Sequence, residues 1–126
     1  MDGQVKARIE GEVRASFDAY EKALVGNDVE ALIGLFADDP ATLRMTNSGG
    51  LFGHAQIAAF RRGRDPSDVA RTLTRVEIVV LSETVAVAAA TYTRDASGLK
   101  GAQTQVWQLR PEGWRVVAAH VSLDGG

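Results

Sequence analysis

The sequence predicts an α+β domain in which helices grouped early in the chain cover one face of a long antiparallel meander. Three observations predict it. Apolar residues recur every three or four positions from Val5 to Leu24, the period of a helix with one buried face. Later stretches of the chain are long, rich in Val and Thr, and separated by short turn-forming segments, the signature of strands joined by hairpins. Helices and strands are segregated along the chain instead of alternating, which places the helices against a single sheet.

Taken in order, Val5, Ile9, Val13, Phe17, Tyr20 and Leu24 form the apolar face of a first, long helix. Arg8, Glu12, Arg14, Glu21 and Lys22 fall on its wetter positions. Gly26 is expected to stop it. Asn27-Asp28-Val29-Glu30 has capping-box spacing for a second, short helix. Its stripe is Val29, Leu32, Ile33 and Phe36, and Asp38-Asp39-Pro40 ends it. One early strand is expected from about Ala41 to Thr46, then a turn at Asn47-Ser48-Gly49-Gly50, then Leu51-Phe52-Gly53. A third helix runs from His54 to Gly63 with Ile57 and Phe60 inward, and Arg64 to Asp68 is a loop. Strands are expected at Thr72–Leu81, Thr84–Arg94, Ala102–Arg110 and Trp114–Leu123. The turns between them are tight, which means antiparallel pairing.

The totals fit one domain over residues 1–126 with a real core, since hydrophobic residues make up 45%. A net charge of −2 provides no long-range field for nucleic acid or an acidic membrane surface. Cysteine is absent, which excludes a disulfide framework, a thiolate metal site and a cysteine nucleophile. With two histidines, His54 and His120, no histidine-rich metal centre is expected, and neither a metal nor a cofactor is called for. Charges interrupt the N-terminal apolar residues and no apolar run approaches a membrane span, so the cytoplasm is the expected compartment.

Several residues could carry chemistry. Tyr20 lies on the apolar face of the first helix, so its hydroxyl needs a partner: either a ligand in a pocket or a backbone carbonyl in the core. Arg44, in the early strand, would grip a carboxylate in a fork of two hydrogen bonds, or else be a solvated edge arginine. Strand alternation puts Gln103, Gln105, Trp107 and Leu109 on one face, where the amides would orient a urea or carboxylate ligand or form a ladder at a dimer interface. His120 aligns with Trp114, Val116, Ala118 and Ser122 on the last strand, either as a pocket acid or base or as a satisfied core or interface histidine. His54 is expected to face water. Arg61, Arg62 and Arg64 read as a solvated helix end balanced by Asp65 and Asp68, with Arg61 able to reach a pocket rim. The chain has no Gly-rich phosphate loop, no HExxH metal motif and no GxSxG nucleophile elbow.

The stretches Tyr20–Asp28 and Ala31–Asp39 resemble the helix pair of the nuclear-transport-factor-2-like superfamily, and Gly53-His54-Ala55-Gln56-Ile57 resembles its entry into the third helix. More narrowly, Leu51–Arg64, Ala70-Arg71-Thr72-Leu73, Gln103-Thr104-Gln105-Val106-Trp107 and Gly113–Ser122 are similar to the AtzH-like family, linked to oxalurate and cyanuric acid catabolism. The first resemblance implies a cone-shaped domain, with N-terminal helices on a curved, mainly antiparallel sheet, that dimerises through the sheet. The second implies a metal-free amidohydrolase or decarboxylase acting on a small carboxylated urea or related acid. Tyr20 and Arg44 would then be catalytic, and Gln103, Gln105, Trp107 and His120 would bind substrate. An isomerase of this superfamily would carry a catalytic aspartate beside Arg44. No carboxylate stands in Leu43-Arg44-Met45-Thr46, which disfavours proton abstraction from carbon. Met45-Thr46 and Ala102 depart from the AtzH-like pattern, which has a tyrosine or glycine pair and an arginine there. The other reading is a non-catalytic ligand-binding or assembly module of the same fold.

Overall fold

A computed structural model describes residues 1–124, so the last two residues of the domain expected over 1–126 lie outside the described residues. Helix α1 spans Gly3–Val25 and is capped by Asp2, whose carboxylate accepts from the Val5 N–H at 2.9 Å. Its buried face is Ile9, Val13, Phe17, Tyr20, Ala23 and Leu24, the stripe the period predicts. The helix stops one residue before Gly26, which keeps a right-handed conformation; the left-handed residue is Asn27, at φ 52°. The cap of α2, Val29–Gly34, is therefore Asp28, which accepts from the Ala31 N–H at 3.2 Å. Phe36 lies beyond that helix, buried, and bridges to Val116.

The sheet has six strands in the order β2-β1-β6-β5-β4-β3. Strands β3 (Arg71–Val80), β4 (Val85–Arg94), β5 (Lys100–Arg110) and β6 (Gly113–Leu123) form the expected antiparallel meander. The early strand is a hairpin instead of a single strand: β1 (Leu43–Thr46) turns at Asn47-Ser48 and pairs with β2 (Gly49–Phe52). Strand β1 then joins the meander parallel to β6, the one parallel pair of strands among the described residues. Helix α3 occupies His54–Gly63 as predicted, and a short 3₁₀ turn at Pro66–Asp68 leads into β3.

The core lies between α1 and the inner sheet face. Ala86, Ala88 and Ala90 on β4 are small, which leaves room for Phe17 of α1 and Trp107 of β5. Each pairs with a larger residue on the neighbouring strand, Ala86 with Trp107, Ala88 with Gln105 and Ala90 with Gln103. Two irregularities bend the sheet, at Thr74 on β3 and at Val117 on β6. No helix among the described residues is long and apolar enough to cross a membrane.

Candidate functional site

At one end of the inner face the apolar core gives way to polar side chains. Tyr20 comes from α1, Arg44 from β1, Arg61 from the last turn of α3, Arg71 from the first residue of β3 and Gln103 from β5. Together with Arg64 and Tyr92 they line a chamber of about 20 Å³, room for one water-sized group. A larger cleft of about 460 Å³ shares Arg44, Arg64, Tyr92, Arg94 and Val121 with the chamber. Its walls add Phe60 and Leu51, and its far rim adds Thr46, Asn47 and Ser48 from the β1–β2 hairpin.

Donors dominate the chamber. Arg44 is 6% exposed and Arg61 is 3% exposed, and neither forms an ion pair among the described residues. Arg61 Nη2 donates to the Tyr20 hydroxyl oxygen at 2.7 Å, leaving the phenol proton free to donate onward. Arg44 Nε, Arg61 Nε and Nη1, Gln103 Nε2 and Gln105 Nε2 are buried with no partner among the described residues. All five are donors. Aromatic faces offset part of this charge: the Arg44 guanidinium lies 5.0 Å from the Phe60 ring centroid and that of Arg61 5.8 Å from Phe36. Burial, then repulsion from Arg61, pushes the Arg44 pKa down to about 10, and the same two causes bring Arg64 to about 10. Both guanidiniums remain charged at neutral pH, at the expense of folding stability.

Arg71 is the contrast. Burial lowers its pKa, but hydrogen bonds and charge from Glu21 outweigh burial and hold it above the usual value. Arg71 Nε donates to Glu21 Oε2 at 3.1 Å and its Nη2 contacts Glu21 Oε1. The same Nη2 donates to Gln103 Oε1 at 3.1 Å. The guanidinium lies 4.2 Å from the Tyr92 ring centroid.

The expected site residues divide into three groups. Tyr20, Arg44 and Gln103 converge on the chamber. Gln105 and Trp107 share the inner face, which removes the dimer-ladder reading of the amides. They sit deeper in the core, where Trp107 Nε1 donates to Gln105 Oε1 at 3.0 Å and the indole packs edge-on against Tyr20. His120 is a correction, because it points outward and is exposed. Val106 pairs with Ala118 and Trp107 with Val116, so Val117 is an extra residue. Past this bulge the alternation reverses, and Ala119 and Val121 face inward in place of Ala118 and His120.

Other expectations are corrected on α1 and α3. Phe60 is partly exposed on the cleft wall, and Arg61 takes the inward position. Its neighbour Arg62 is the solvated one, paired with Glu30. Glu21, read as a wet position, is only 12% exposed and holds Arg71. His54 does not face water freely: its Nε2 is 3.1 Å from the Ile33 carbonyl oxygen. Arg71 and Tyr92 line the chamber without having been singled out. The signal for Arg71 was present, since it starts the alternation that continues to Leu73. Of the departures from the AtzH-like pattern, Met45 lies against Gly50 and Ala102 is exposed on the outer face, so neither lines the cleft; Thr46 does.

A model of the AtzH-like family matches residues 4–125. The chain belongs to the AtzH-like family. A protein of unknown function from the DUF3225 family of Pectobacterium atrosepticum is similar to it at 42% identity, over 98% of this chain and 94% of that chain, with a TM-score of 0.87. A cystatin-like fold protein of Burkholderia xenovorans is 39% identical over 92% of each chain, with a TM-score of 0.84. A nuclear-transport-factor-2-like superfamily protein of Salmonella enterica serovar Typhimurium is 26% identical over 95% of this chain and 94% of that chain, with a TM-score of 0.74. No curated protein matches the chain. This AtzH-like chain therefore has the nuclear-transport-factor-2-like, cystatin-like fold expected from its sequence.

Proposed function

We propose that this AtzH-like chain binds a small carboxylated urea or related acid and removes carbon dioxide or ammonia from it without a metal. The observation that carries the reading is the pair of buried, unpaired guanidiniums, Arg44 and Arg61, in a chamber whose other polar groups also donate. A buried positive charge with open N–H groups is strongly stabilised by an oxyanion such as a carboxylate. The chamber has room for one oxygen of such a carboxylate, and the rest of the ligand would occupy the cleft.

Within that arrangement the Tyr20 hydroxyl, polarised by Arg61, donates to the ligand carbonyl oxygen where negative charge develops. A second carboxylate in the cleft would leave as neutral carbon dioxide once negative charge can move to the carbonyl oxygen that Tyr20 holds. In that step the N–CO₂ bond breaks, its electron pair moves toward nitrogen and the urea carbonyl, and a proton returns to nitrogen. Turnover of dicarboxyurea and related ureides by the purified protein tests the assignment. Activity retained at the wild-type level in both Tyr20→Phe and Arg44→Ala would defeat it.

A second reading has its own support. All five unpartnered buried atoms are donors and none is an acceptor able to serve as a base, which suits a module that binds an anion without transforming it. Thermal-shift stabilisation by small dicarboxylates, with no ureide consumed, would favour this binding module. In either case the outer sheet face, where Val79 is exposed and Val87 and Val106 are half-buried, suits pairing with a second copy of the chain. Sedimentation equilibrium would show a dimer that Val106→Lys dissociates.

A further inference from the structure

We propose that Glu21 and Arg71 are positioning residues that set ligand specificity, by locking the Gln103 amide with its N–H donors toward the chamber so that a carboxylate is accepted and a carboxamide or urea N–H end is refused. The inference rests on the anion-binding reading above and names the pair that makes the chamber selective.

A glutamine amide is ambivalent: one end accepts, the other donates, and rotation by half a turn exchanges them. On a wall of the chamber, that rotation would decide whether the wall reads a carboxylate or an amide. Here the ambiguity is removed from behind. Arginine has no acceptor, so the Gln103 atom 3.1 Å from Arg71 Nη2 must be the oxygen. The nitrogen is left buried and unpartnered among the described residues, in a side chain that lines the chamber.

Arg71 is itself held on two sides. Glu21 takes its Nε and Nη2, with both side chains largely buried. The Tyr92 ring covers the guanidinium, and the Tyr92 hydroxyl is tied to the Ser122 carbonyl at 3.1 Å. The ring has room only because residue 101 is glycine; a Cβ there would collide with it. Gln105 repeats the device on the next inward position of β5. Trp107 Nε1, also a pure donor, fixes its oxygen and frees its nitrogen. Two amides on one strand are thus polarised the same way by neighbours that can only donate. A pair needed only to staple α1 to the sheet would leave ligand preference untouched.

The test uses the whole protein and two single-headed, nearly isosteric probes, acetate and acetamide, titrated by protein NMR at constant pH and ionic strength. In the Glu21→Leu/Arg71→Met double variant the buried ion pair is removed as a unit and the Gln103 amide is free to turn. In Gln103→Glu, whose shape is unchanged, Arg71 keeps an oxygen partner and the chamber gains an acceptor. The expected result is that acetamide affinity rises roughly 10-fold in both variants while acetate affinity falls. General damage to the site would weaken both probes. Acetamide binding no better in either variant, with acetate still bound by the wild type, overturns the role of Glu21 and Arg71 and leaves the anion site standing. Acetate failing to bind the wild type, or binding Arg44→Ala equally well, overturns the anion reading and this inference with it.

Discussion

Along α1, Ile9, Val13 and Phe17 pack on Ala86, Ala88, Trp107 and Val116, whereas Tyr20 and Glu21, about one turn further on, adjoin a chamber lined by five arginines and a glutamine. Helix α1 and strands β4, β5 and β6 run through both regions, and β1, β3 and the end of α3 add the arginines of the second. In the first region polar atoms are few and mostly matched: Trp107 donates to Gln105, which leaves one open donor, Gln105 Nε2, and Trp114 donates to Glu12 at 3.0 Å. In the second, guanidinium and amide donors are buried with no acceptor among the described residues. A stable core satisfies its polar groups. A region that leaves them open in one direction is preorganised for a group that arrives from outside. One half of the interior holds the fold and the other half is held by it.

The comparison is sharpest where truncation should matter most. Phe17→Ala, at a position with 0% exposure, should cost about 3–5 kcal/mol in urea unfolding, because the rigid sheet cannot close the space left. A loss well below that would mean the apolar half is not what holds the fold. Gly101→Ala comes next. Its methyl would meet the Tyr92 ring and the Ser122 carbonyl, so a loss of about 1–3 kcal/mol is expected, together with weaker anion binding as Tyr92 shifts off Arg71.

Arg44→Met should move the other way. Removing a buried, unpaired charge should leave the empty protein as stable or more stable, by about 1 kcal/mol, while abolishing its stabilisation by dicarboxylates. Thermal unfolding with and without malonate separates the two effects, and a destabilised variant would erase the contrast between the two regions. The smallest effect is on pH. Arg44 and Arg64 have folded pKa values of about 10, below the usual arginine range, so folding disfavours their charged forms. That penalty is full below about pH 10 and lifts as pH rises from there toward the usual arginine range. Anion affinity, which needs the charge, should stay flat from neutrality to about pH 9 and decline as pH passes about 10. Calorimetric titration across that range checks it; a decline centred near pH 7 would point to a different group.

The sequence showed most of the fold because periodicity is a local property. The stripe from Val5 to Leu24, the helix His54–Gly63 and the meander all follow from residue spacing that any reader of the chain can count. The hairpin partner β2 was missed because Gly49-Gly50-Leu51-Phe52 carries a turn signal at its start and too few residues for alternation to show. Of the site, Tyr20 and Gln103 were legible as polar groups on apolar faces. Arg61 was legible only as a residue able to reach a pocket rim, because its neighbours Arg62 and Arg64 made the segment look like a solvated helix end; α3 turns Arg61 to the core and Arg62 to Glu30.

The chain by itself determined the α+β plan, the family and the residue types available for chemistry, since each depends on spacing or on local resemblance. Which of those residues meet was decided only by tertiary structure. His120 left the site because one extra residue, Val117, reversed the alternation of β6, and a bulge depends on the register between two strands and not on the sequence of one. Arg71 and Glu21 joined the site because α1 and β3, 50 residues apart at that contact, pack against each other. Charge, hydrogen-bond polarity and burial become chemistry only when distant segments fix which donor faces which acceptor.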